Sequence, residues 1–450
     1  MAESGGFASR DRAQALLGEL GEDFAVLPSF PNTYPPYDIV PLAPKRTRLA
    51  GWPEAILLDM DGTLTSTEPL CLRALDEVLR LATGHGDDPD WRGLDPKRDY
   101  PHLIGNSTTT HVEYVMRTYA DQIVPEELQR HALEAALWAL AHGTDPLRSD
   151  EATRHIETYG LGELLEEDFV IELLSPDGWK SRRGKALRRT LLKDLSHAIP
   201  LETLAMRVCA GIDIYYRWWH GALHEFHCRK KSHAVDAAHP RLIMPMPGVG
   251  AFLAIVHGLL GTEAEALSPM LRANLGETAP DDATARARLR AMGAAFAERP
   301  VQAAVVTAAR YYEMESCLES AFDELLEEVN DWPVSNTCRQ HVQASFEEKM
   351  FMFQDLVWAN SPVELRLKPH RDAYTVALHG LGIEPDAYDR VLGIEDSCAG
   401  ITALRAAGIG LAVAVPFEHS GQQDYSAASV VVKGGLPAVI LQHGLFLPER

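Results

Sequence analysis

Hydrophobic residues follow two patterns along the chain: short continuous runs and long stretches with helical spacing. A continuous apolar run that ends in polar residues is typical of a buried parallel strand meeting its loop. Three runs have this form, and each precedes a helix-like segment: AILLDMDGT from residue 55, VQAAVVTAAR at 301–310 and RVLGIEDSCAG at 390–400. Two further runs predict strands, IGLAVAV at 409–415 and SVVV at 429–432. This order of strand, loop and helix predicts an α/β fold with a doubly wound parallel sheet.

The long stretch between the first and second of these strands has mainly helical periodicity. Examples are PEELQRHALEAALWALAHG at 125–143 and KALRRTLLKDL at 185–195. Because such a stretch is too long for a loop, we expect an inserted helical cap domain at 70–245. The α/β core then comprises residues 51–69 and 246–450.

Three further segments are expected outside the strands and helices of the core. The proline- and aromatic-rich stretch LPSFPNTYPPYDIVPLAPKR excludes regular helix and lacks the alternation of a strand, which predicts an N-terminal arm at 1–50. A polar, alanine-rich segment at about 261–299 and a helical segment at about 312–362 are expected to be additions between core elements.

Composition narrows the class of protein. A chain of 450 residues with 46% hydrophobic content predicts a folded, globular protein. The formal net charge of −22 argues against nucleic acid as a partner, because phosphate backbones require a basic surface. The six cysteines are scattered and indicate neither a zinc site nor a disulfide framework. Neither a signal peptide nor a membrane span is evident, which predicts no membrane association and a cytoplasmic location.

Two aspartates end the first apolar run and suggest phosphoryl transfer. Asp59 could act as a nucleophile and form an aspartyl-phosphate, which divides one difficult displacement into two easier steps. Asp61 could protonate the leaving oxygen and then deprotonate the incoming water or hydroxyl. Gly62 would let the backbone turn against a phosphate, and Thr63 offers a hydroxyl to hold the loop.

Residues that follow the other strands supply the remaining groups that phosphoryl transfer requires. The Thr307 hydroxyl and the following backbone N–H of Ala308 could bind a phosphoryl oxygen. Lys368 supplies a fixed positive charge that would stabilise the transition state. Glu395 and Asp396 would make the oxygen-rich site that Mg²⁺ prefers.

These residues form motifs that resemble, in identity and order, those of the haloacid dehalogenase (HAD) superfamily. The motifs are DxDGT at 59–63, the strand-final Thr307, KPxxxAY at 368–374 and GIEDSxAGI at 393–401. EDSxAG and the PGV at 247–249 resemble the subgroup of β-phosphoglucomutase-like enzymes and phosphoglycolate phosphatases, which insert a helical cap after the first motif. The resemblance implies a Rossmann-like core with Asp59 as nucleophile, Asp61 as acid/base, and Thr307 and Lys368 on the phosphate. It also implies Mg²⁺ held by Asp59, the Asp61 carbonyl and Asp396, with Glu395 assisting.

The chain departs from this family in two places. Its cap region is much longer than the usual helical cap, and the segment 312–362 widens the gap between the second and third motifs. The dehalogenase members lack the second aspartate of the first motif, so Asp61 favours a phosphate ester over a haloacid as the substrate.

Several features outside the motifs have two interpretations. Asn106 and Ser107 fall where relatives place a substrate-facing loop, but a helix N-cap explains the same residues. Arg310 could reach the substrate or begin a helix in solvent. The basic run 180–193 could steer an anionic substrate or form a solvated helix face. The histidines of YYRWWHGALHEFH could bind a metal, although a packed cap helix explains them better.

The favoured function is Mg²⁺-dependent hydrolysis of a small phosphomonoester through an aspartyl-phosphate, with the cap closing over the site to exclude water. Two alternatives stay open: a β-phosphoglucomutase-like phosphosugar mutase, which passes the phosphoryl group to a second hydroxyl, and a non-catalytic binding or regulatory protein with this fold. The first loop does not distinguish phosphatase from mutase, because both reactions need the same residues.

Overall fold

The computed structural model describes residues 9–29, 33–105, 107–143, 145–231, 243–348, 352–359, 365–417 and 420–448. The chain divides into two compact units. One comprises residues 1–66 and 243–450, and the other comprises residues 67–242. Among the described residues, the first unit contains all the strands and the second is helical.

The N-terminal arm contains two strands, so the expectation that its proline-rich stretch forms no strand was wrong. The described part of that stretch forms no helix, as expected, because the helix of the arm lies before it. Helix α1 spans Arg10–Glu19, and strands β1 (Phe24–Pro28) and β2 (Tyr37–Pro41) pair antiparallel with Val26 opposite Ile39. Both strands end at a proline, which is tolerated there because the ladder ends at the same place. The prolines that exclude a helix here therefore mark the ends of the two strands.

A six-stranded parallel sheet forms the centre of the first unit, in the order β5-β4-β3-β6-β7-β8. Its strands are β3 (Ala55–Leu58), β4 (Gln302–Arg310), β5 (Asp355–Ala359), β6 (Val391–Glu395), β7 (Leu411–Ala414) and β8 (Val430–Val431). Every residue of β3, β6 and β7 is buried, as continuous apolar runs require. The predicted doubly wound α/β sheet is therefore confirmed, with all five predicted strands present.

Strand β5 was missed, because the segment 312–362 was expected to be helical throughout. It pairs with β4 at the edge of the sheet, and only Val357 and Ala359 of its five residues are buried. A short, half-buried edge strand that begins with aspartate lacks the apolar run by which its neighbours were found.

The described part of the second unit is helical. Its helices are α2 (Glu68–Ala82), α3 (Tyr100–Leu103), α4 (Thr108–Thr118), α5 (Pro125–His142), α6 (Pro146–Thr158), α7 (Asp168–Leu174), α8 (Pro176–Lys180), α9 (Arg182–Leu195) and α10 (Leu204–Lys231). Helices α5 and α9 confirm the two periodic stretches singled out in the sequence. The buried side of α5 is rich in alanine and leucine, which have high helix propensity.

Eight further α-helices of the first unit lie in the part of the chain that the structure describes. They are α11 (Val249–Val256), α12 (Ser268–Ala273), α13 (Asp282–Glu298), α14 (Tyr311–Asn330), α15 (Asn336–Glu347), α16 (Asp372–Gly380), α17 (Cys398–Ala406) and α18 (Gly435–Leu441). Helices α14 and α17 directly follow the β4 and β6 regions, so their first residues lie near the carboxyl ends of those strands. None of the helices in the described ranges combines the length and apolar character that a membrane span requires.

Candidate active site

The loop after β3 is held by hydrogen bonds to main-chain carbonyls. Asp59 is 5% exposed, and its N–H donates to the Ile394 carbonyl of the neighbouring strand at 3.1 Å. The Thr65 N–H and hydroxyl both donate to the carbonyl of Met60, at 2.9 and 3.2 Å. Thr63 was expected to hold the loop, but its buried hydroxyl has no hydrogen-bond partner among the described residues. Thr65 serves that purpose, because its side chain reaches back to the start of the turn.

Glycine is required at position 62 because other side chains approach its backbone closely. Its φ of +84° lies in the left-handed region, where side chains other than glycine are strained. A Cβ atom here would lie 2.6 Å from Oδ2 of Asp396 and 2.9 Å from a ring carbon of Phe417. The glycine therefore lets Asp396 reach the loop that carries Asp59.

Lys368 connects three strands through its ammonium group. Its Nζ donates to Asp59 Oδ1 at 2.5 Å and to the Val306 carbonyl at 2.8 Å, and lies 2.7 Å from Glu395 Oε1. The lysine, Asp59 and Glu395 side chains are each at most 8% exposed. The predicted strand-end residues thus meet at one buried point, although they are far apart in sequence.

Glu395 is enclosed by hydrogen-bond donors. The Tyr374 hydroxyl donates to Oε1 at 2.8 Å, while the Ser397 N–H and hydroxyl donate to Oε2 at 3.2 and 2.9 Å. Gly400 is necessary here too, since a Cβ at that position would overlap the Glu395 carboxylate at 1.7 Å. These contacts fix the carboxylate against Lys368.

Burial and charge oppose each other at this cluster. Burial and the negative charge of Glu395 raise the pKa of Asp59 well above its ordinary value, against the opposing charge of Lys368. Burial lowers the pKa of Lys368, but the charges of Asp59 and Glu395 outweigh it, and that pKa lies above its ordinary value. Lys368 is therefore charged, and it does not by itself neutralise the surrounding carboxylates.

The same cluster fits a divalent cation. Asp59, Glu395 and Asp396 are buried and each places a carboxylate oxygen within 4.8 Å of the others. Among the described residues Asp59 Oδ2 is a buried oxygen without a hydrogen-bond partner. Three carboxylates facing one lysine leave an excess of negative charge, and carboxylate oxygens are the ligands that Mg²⁺ prefers. The donor set therefore suits the magnesium expected from the sequence.

Thr307 contacts the second aspartate of the first motif. Its hydroxyl donates to Asp61 Oδ2 at 2.9 Å and accepts from the Ala309 N–H at 3.0 Å. In this arrangement the hydroxyl orients the Asp61 carboxyl. That it also binds a phosphoryl oxygen stays a prediction. Ala308 lies exposed at the irregular end of β4, and Arg310 caps the following helix α14.

The predicted residues of the helical unit have ordinary structural contacts where they are described. The Ser107 hydroxyl caps α4 by accepting from the Thr110 N–H, and Asn106 lies outside the described residues. His220 is 1% exposed and its ring lies 5.1 Å from that of Tyr216, as expected of a packed helix. Within the described ranges, the carboxylate cluster of the first unit is the group of side chains placed to hold a metal.

Two further residues of the site belong to the motifs, although the sequence predicted no role for them. Tyr374 ends KPxxxAY, and Ser397 follows the acidic pair while also capping α17 through the Gly400 N–H. Their roles depend on contacts to Glu395. The sequence does carry one signal for the role of Tyr374. A buried tyrosine hydroxyl requires a hydrogen-bond partner, and an expected carboxylate nearby is a suitable acceptor.

Comparison with known proteins gives similarity to solved structures only, since no protein-family model and no curated protein matches the chain. CbbY from Rhodobacter sphaeroides in complex with phosphate is 15% identical with a TM-score of 0.39, covering 88% of this chain and 100% of that chain. A HAD family hydrolase from Deinococcus radiodurans R1 with bound phosphate and sodium is 14% identical with a TM-score of 0.35, covering 88% and 98%. A predicted phosphoglycolate phosphatase from Haemophilus somnus 129PT is 10% identical with a TM-score of 0.39, covering 86% and 96%.

Two of these descriptions, a HAD family hydrolase and a phosphoglycolate phosphatase, name the superfamily and subgroup that the four motifs resemble. Because these TM-scores lie below 0.5, we infer function from the site of this chain and not from those proteins.

Proposed function

We propose that this protein is a Mg²⁺-dependent phosphohydrolase of the HAD type, which hydrolyses a small phosphomonoester through an aspartyl-phosphate on Asp59. The observation that carries this proposal is the buried contact of Lys368 with Asp59 and Glu395, beside Asp396. An ion cluster of this kind is costly to bury, so a purely structural role explains it poorly. It supplies a nucleophile, a fixed positive charge and metal ligands at one point.

In the first half-reaction, a carboxylate oxygen of Asp59 attacks phosphorus, and the bond from phosphorus to the leaving oxygen breaks. The protonated Asp61 carboxyl, oriented by the Thr307 hydroxyl, gives its proton to that oxygen. Lys368 keeps the Asp59 carboxylate in place and lowers the repulsion between it and the anionic phosphate.

In the second half-reaction, the Asp61 carboxylate accepts a proton from water as the water oxygen attacks phosphorus. The bond from phosphorus to Asp59 breaks, which releases phosphate and restores the starting state. When bound, Mg²⁺ would neutralise phosphate oxygens from a site formed by Asp59, Asp396 and the Asp61 carbonyl, with Glu395 beside it.

The test is Asp59→Asn, assayed with p-nitrophenyl phosphate and Mg²⁺. Asparagine preserves the size of the side chain but lacks a nucleophilic carboxylate, so turnover should be lost while circular dichroism stays unchanged. Asp11→Asn on the exposed helix α1 is the matched control and should retain full activity. Retained turnover in Asp59→Asn would contradict the proposal.

A further inference from the structure

An aromatic pair lies at the carboxyl ends of β4 and β5. Tyr311 is the first residue of α14, directly after β4, and Trp358 is the fourth residue of β5. Their ring centroids are 5.1 Å apart at an interplanar angle of 62°, an edge-to-face contact. The Trp358 side chain therefore reaches the carboxyl end of the sheet, where α14 begins.

The carboxyl end of the sheet also carries the candidate active site. Thr307 lies four positions before Tyr311, and its hydroxyl contacts Asp61 at 2.9 Å. The sheet order β5-β4-β3 places Trp358 two strands from the strand that precedes Asp59, a separation of roughly 10 Å at the usual strand spacing. A leaving group attached to a phosphate at Asp59 spans that distance when it contains a ring.

The pair offers ring surface to its surroundings. Tyr311 is 42% exposed, so a large part of its side chain is open to solvent. Its hydroxyl donates to Glu315 Oε1 on the same helix at 3.3 Å. Since that hydroxyl already has a partner, the ring is what Tyr311 presents to a ligand. Between Thr307 and Arg310 the chain has only the small side chains of Ala308 and Ala309.

We propose that the aromatic pair binds the leaving group of the substrate, and that this leaving group carries a planar aromatic or heteroaromatic ring. The inference rests on the proposed phosphatase function and names its substrate class. Flat rings stack on aromatic side chains or meet their edges favourably, whereas a saturated ring of the same size lacks a π face. Simple sugar phosphates are correspondingly poorer substrates.

The matched substrates are benzyl phosphate and cyclohexylmethyl phosphate, which share a primary alkoxide leaving group and differ in the planarity of the ring. With Mg²⁺, the wild type should prefer the benzyl ester about tenfold in kcat/KM, mainly through KM, as one stacking contact predicts. Tyr311→Ala and Trp358→Ala should each remove most of this preference, and Tyr311→Phe should retain it. Tyr37→Ala, which alters an exposed tyrosine of the N-terminal hairpin, is the control.

A second pair, adenosine 5′-monophosphate and ribose 5-phosphate, distinguishes a nucleobase from a simple aryl ring. Equal kcat/KM within both pairs, or a preference that survives both alanine variants, would overturn the inference and leave the phosphatase proposal intact. If the wild type hydrolyses none of the four esters, the phosphatase proposal fails. Calorimetric binding of phenylphosphonate and cyclohexylphosphonate then tests the pair without turnover: tighter binding of phenylphosphonate, lost in Trp358→Ala, supports it, and equal affinities contradict it.

Discussion

Lys368 Nζ lies 2.5 Å from Asp59 Oδ1 and 2.7 Å from Glu395 Oε1, so one buried ammonium group joins the carboxylates of two neighbouring strands. The Tyr374 and Ser397 hydroxyls hold Glu395 from its other sides. The position of Lys368 is therefore determined by the protein before any substrate binds. Preorganised charge of this kind stabilises a transition state without the cost of reorienting the group during the reaction.

Replacing Lys368 with methionine should lower kcat for p-nitrophenyl phosphate by about 10²–10³-fold, as expected when one preorganised charge is lost. It should also lower the free energy of unfolding by about 3–5 kcal/mol, because Asp59 and Glu395 lose their buried counter-charge. Steady-state kinetics and urea unfolding measure the two effects.

Lys433→Met is the control for that variant, since Lys433 is an exposed lysine of the same unit. It should match the wild type in both measurements. A Lys368→Met variant with unchanged kcat would show that the lysine is structural and has no catalytic role.

Removing the Thr307 hydroxyl should affect proton transfer more than binding. In Thr307→Val the carboxyl of Asp61 loses its orienting donor, and we expect kcat to fall about 10- to 100-fold, part of the factor general acid–base catalysis supplies. Thr307→Ser keeps a hydroxyl and should recover most of the activity. A large rise in KM with unchanged kcat would instead indicate direct contact with the phosphate.

Gly62 and Gly382 provide a matched pair of substitutions. Both have positive φ, +84° and +66°, so alanine should cost each about 1–2 kcal/mol of backbone strain. At Gly62 the added Cβ would lie 2.6 Å from Asp396 Oδ2. At Gly382 no atom of the described residues lies within 4 Å of the added Cβ. Gly62→Ala should therefore weaken Mg²⁺ binding, measured by calorimetry, by about 10- to 100-fold. Similar Mg²⁺ affinities in the two variants would show that Asp396 does not depend on this close approach.

The sequence was sufficient where the structure depends on local pattern. Strands β3, β4 and β6 were found because each is a continuous apolar run ending in polar residues, and the ends of those strands meet at the site. Strand β5 was missed because an edge strand buries only part of its surface. The hairpin of β1 and β2 was missed because its strands are largely exposed and lack a regular alternation of apolar and polar residues.

Contacts between distant residues could not be predicted from pattern. The Thr307 hydroxyl lies on Asp61 although 246 positions separate the two residues, and no spacing rule specifies which oxygen it reaches. The choice between Thr63 and Thr65 in the first loop likewise depends on how the turn closes. The exposed Tyr311 became informative only when β5 placed Trp358 beside it.

Acid should destabilise the helical unit through His111. Burial lowers the pKa of His111 to about 4, so the unfolded state binds the proton more tightly than the folded state. Stability that is present above the unfolded pKa, about 6.5, is therefore lost as the pH falls towards 4. At pH 5 the loss from this one group is about 2 kcal/mol.

His111→Gln should reduce the difference in the free energy of unfolding between pH 7.5 and pH 5, measured by urea titration. His197→Gln, at an exposed position, should leave that difference unchanged. If both variants have the pH dependence of the wild type, His111 is not responsible for it.

The central claim is that Asp59 carries the phosphoryl group during turnover, and peptide mapping of acid-quenched enzyme tests it most directly. Asp61→Asn should slow release of the phosphoryl group, because asparagine cannot activate water. This variant, incubated with p-nitrophenyl phosphate and Mg²⁺, should carry one phosphoryl group on the peptide that contains Asp59, and mass spectrometry should locate it there. Phosphate release by the wild type with no phosphoryl group on Asp59 in either protein would contradict the account.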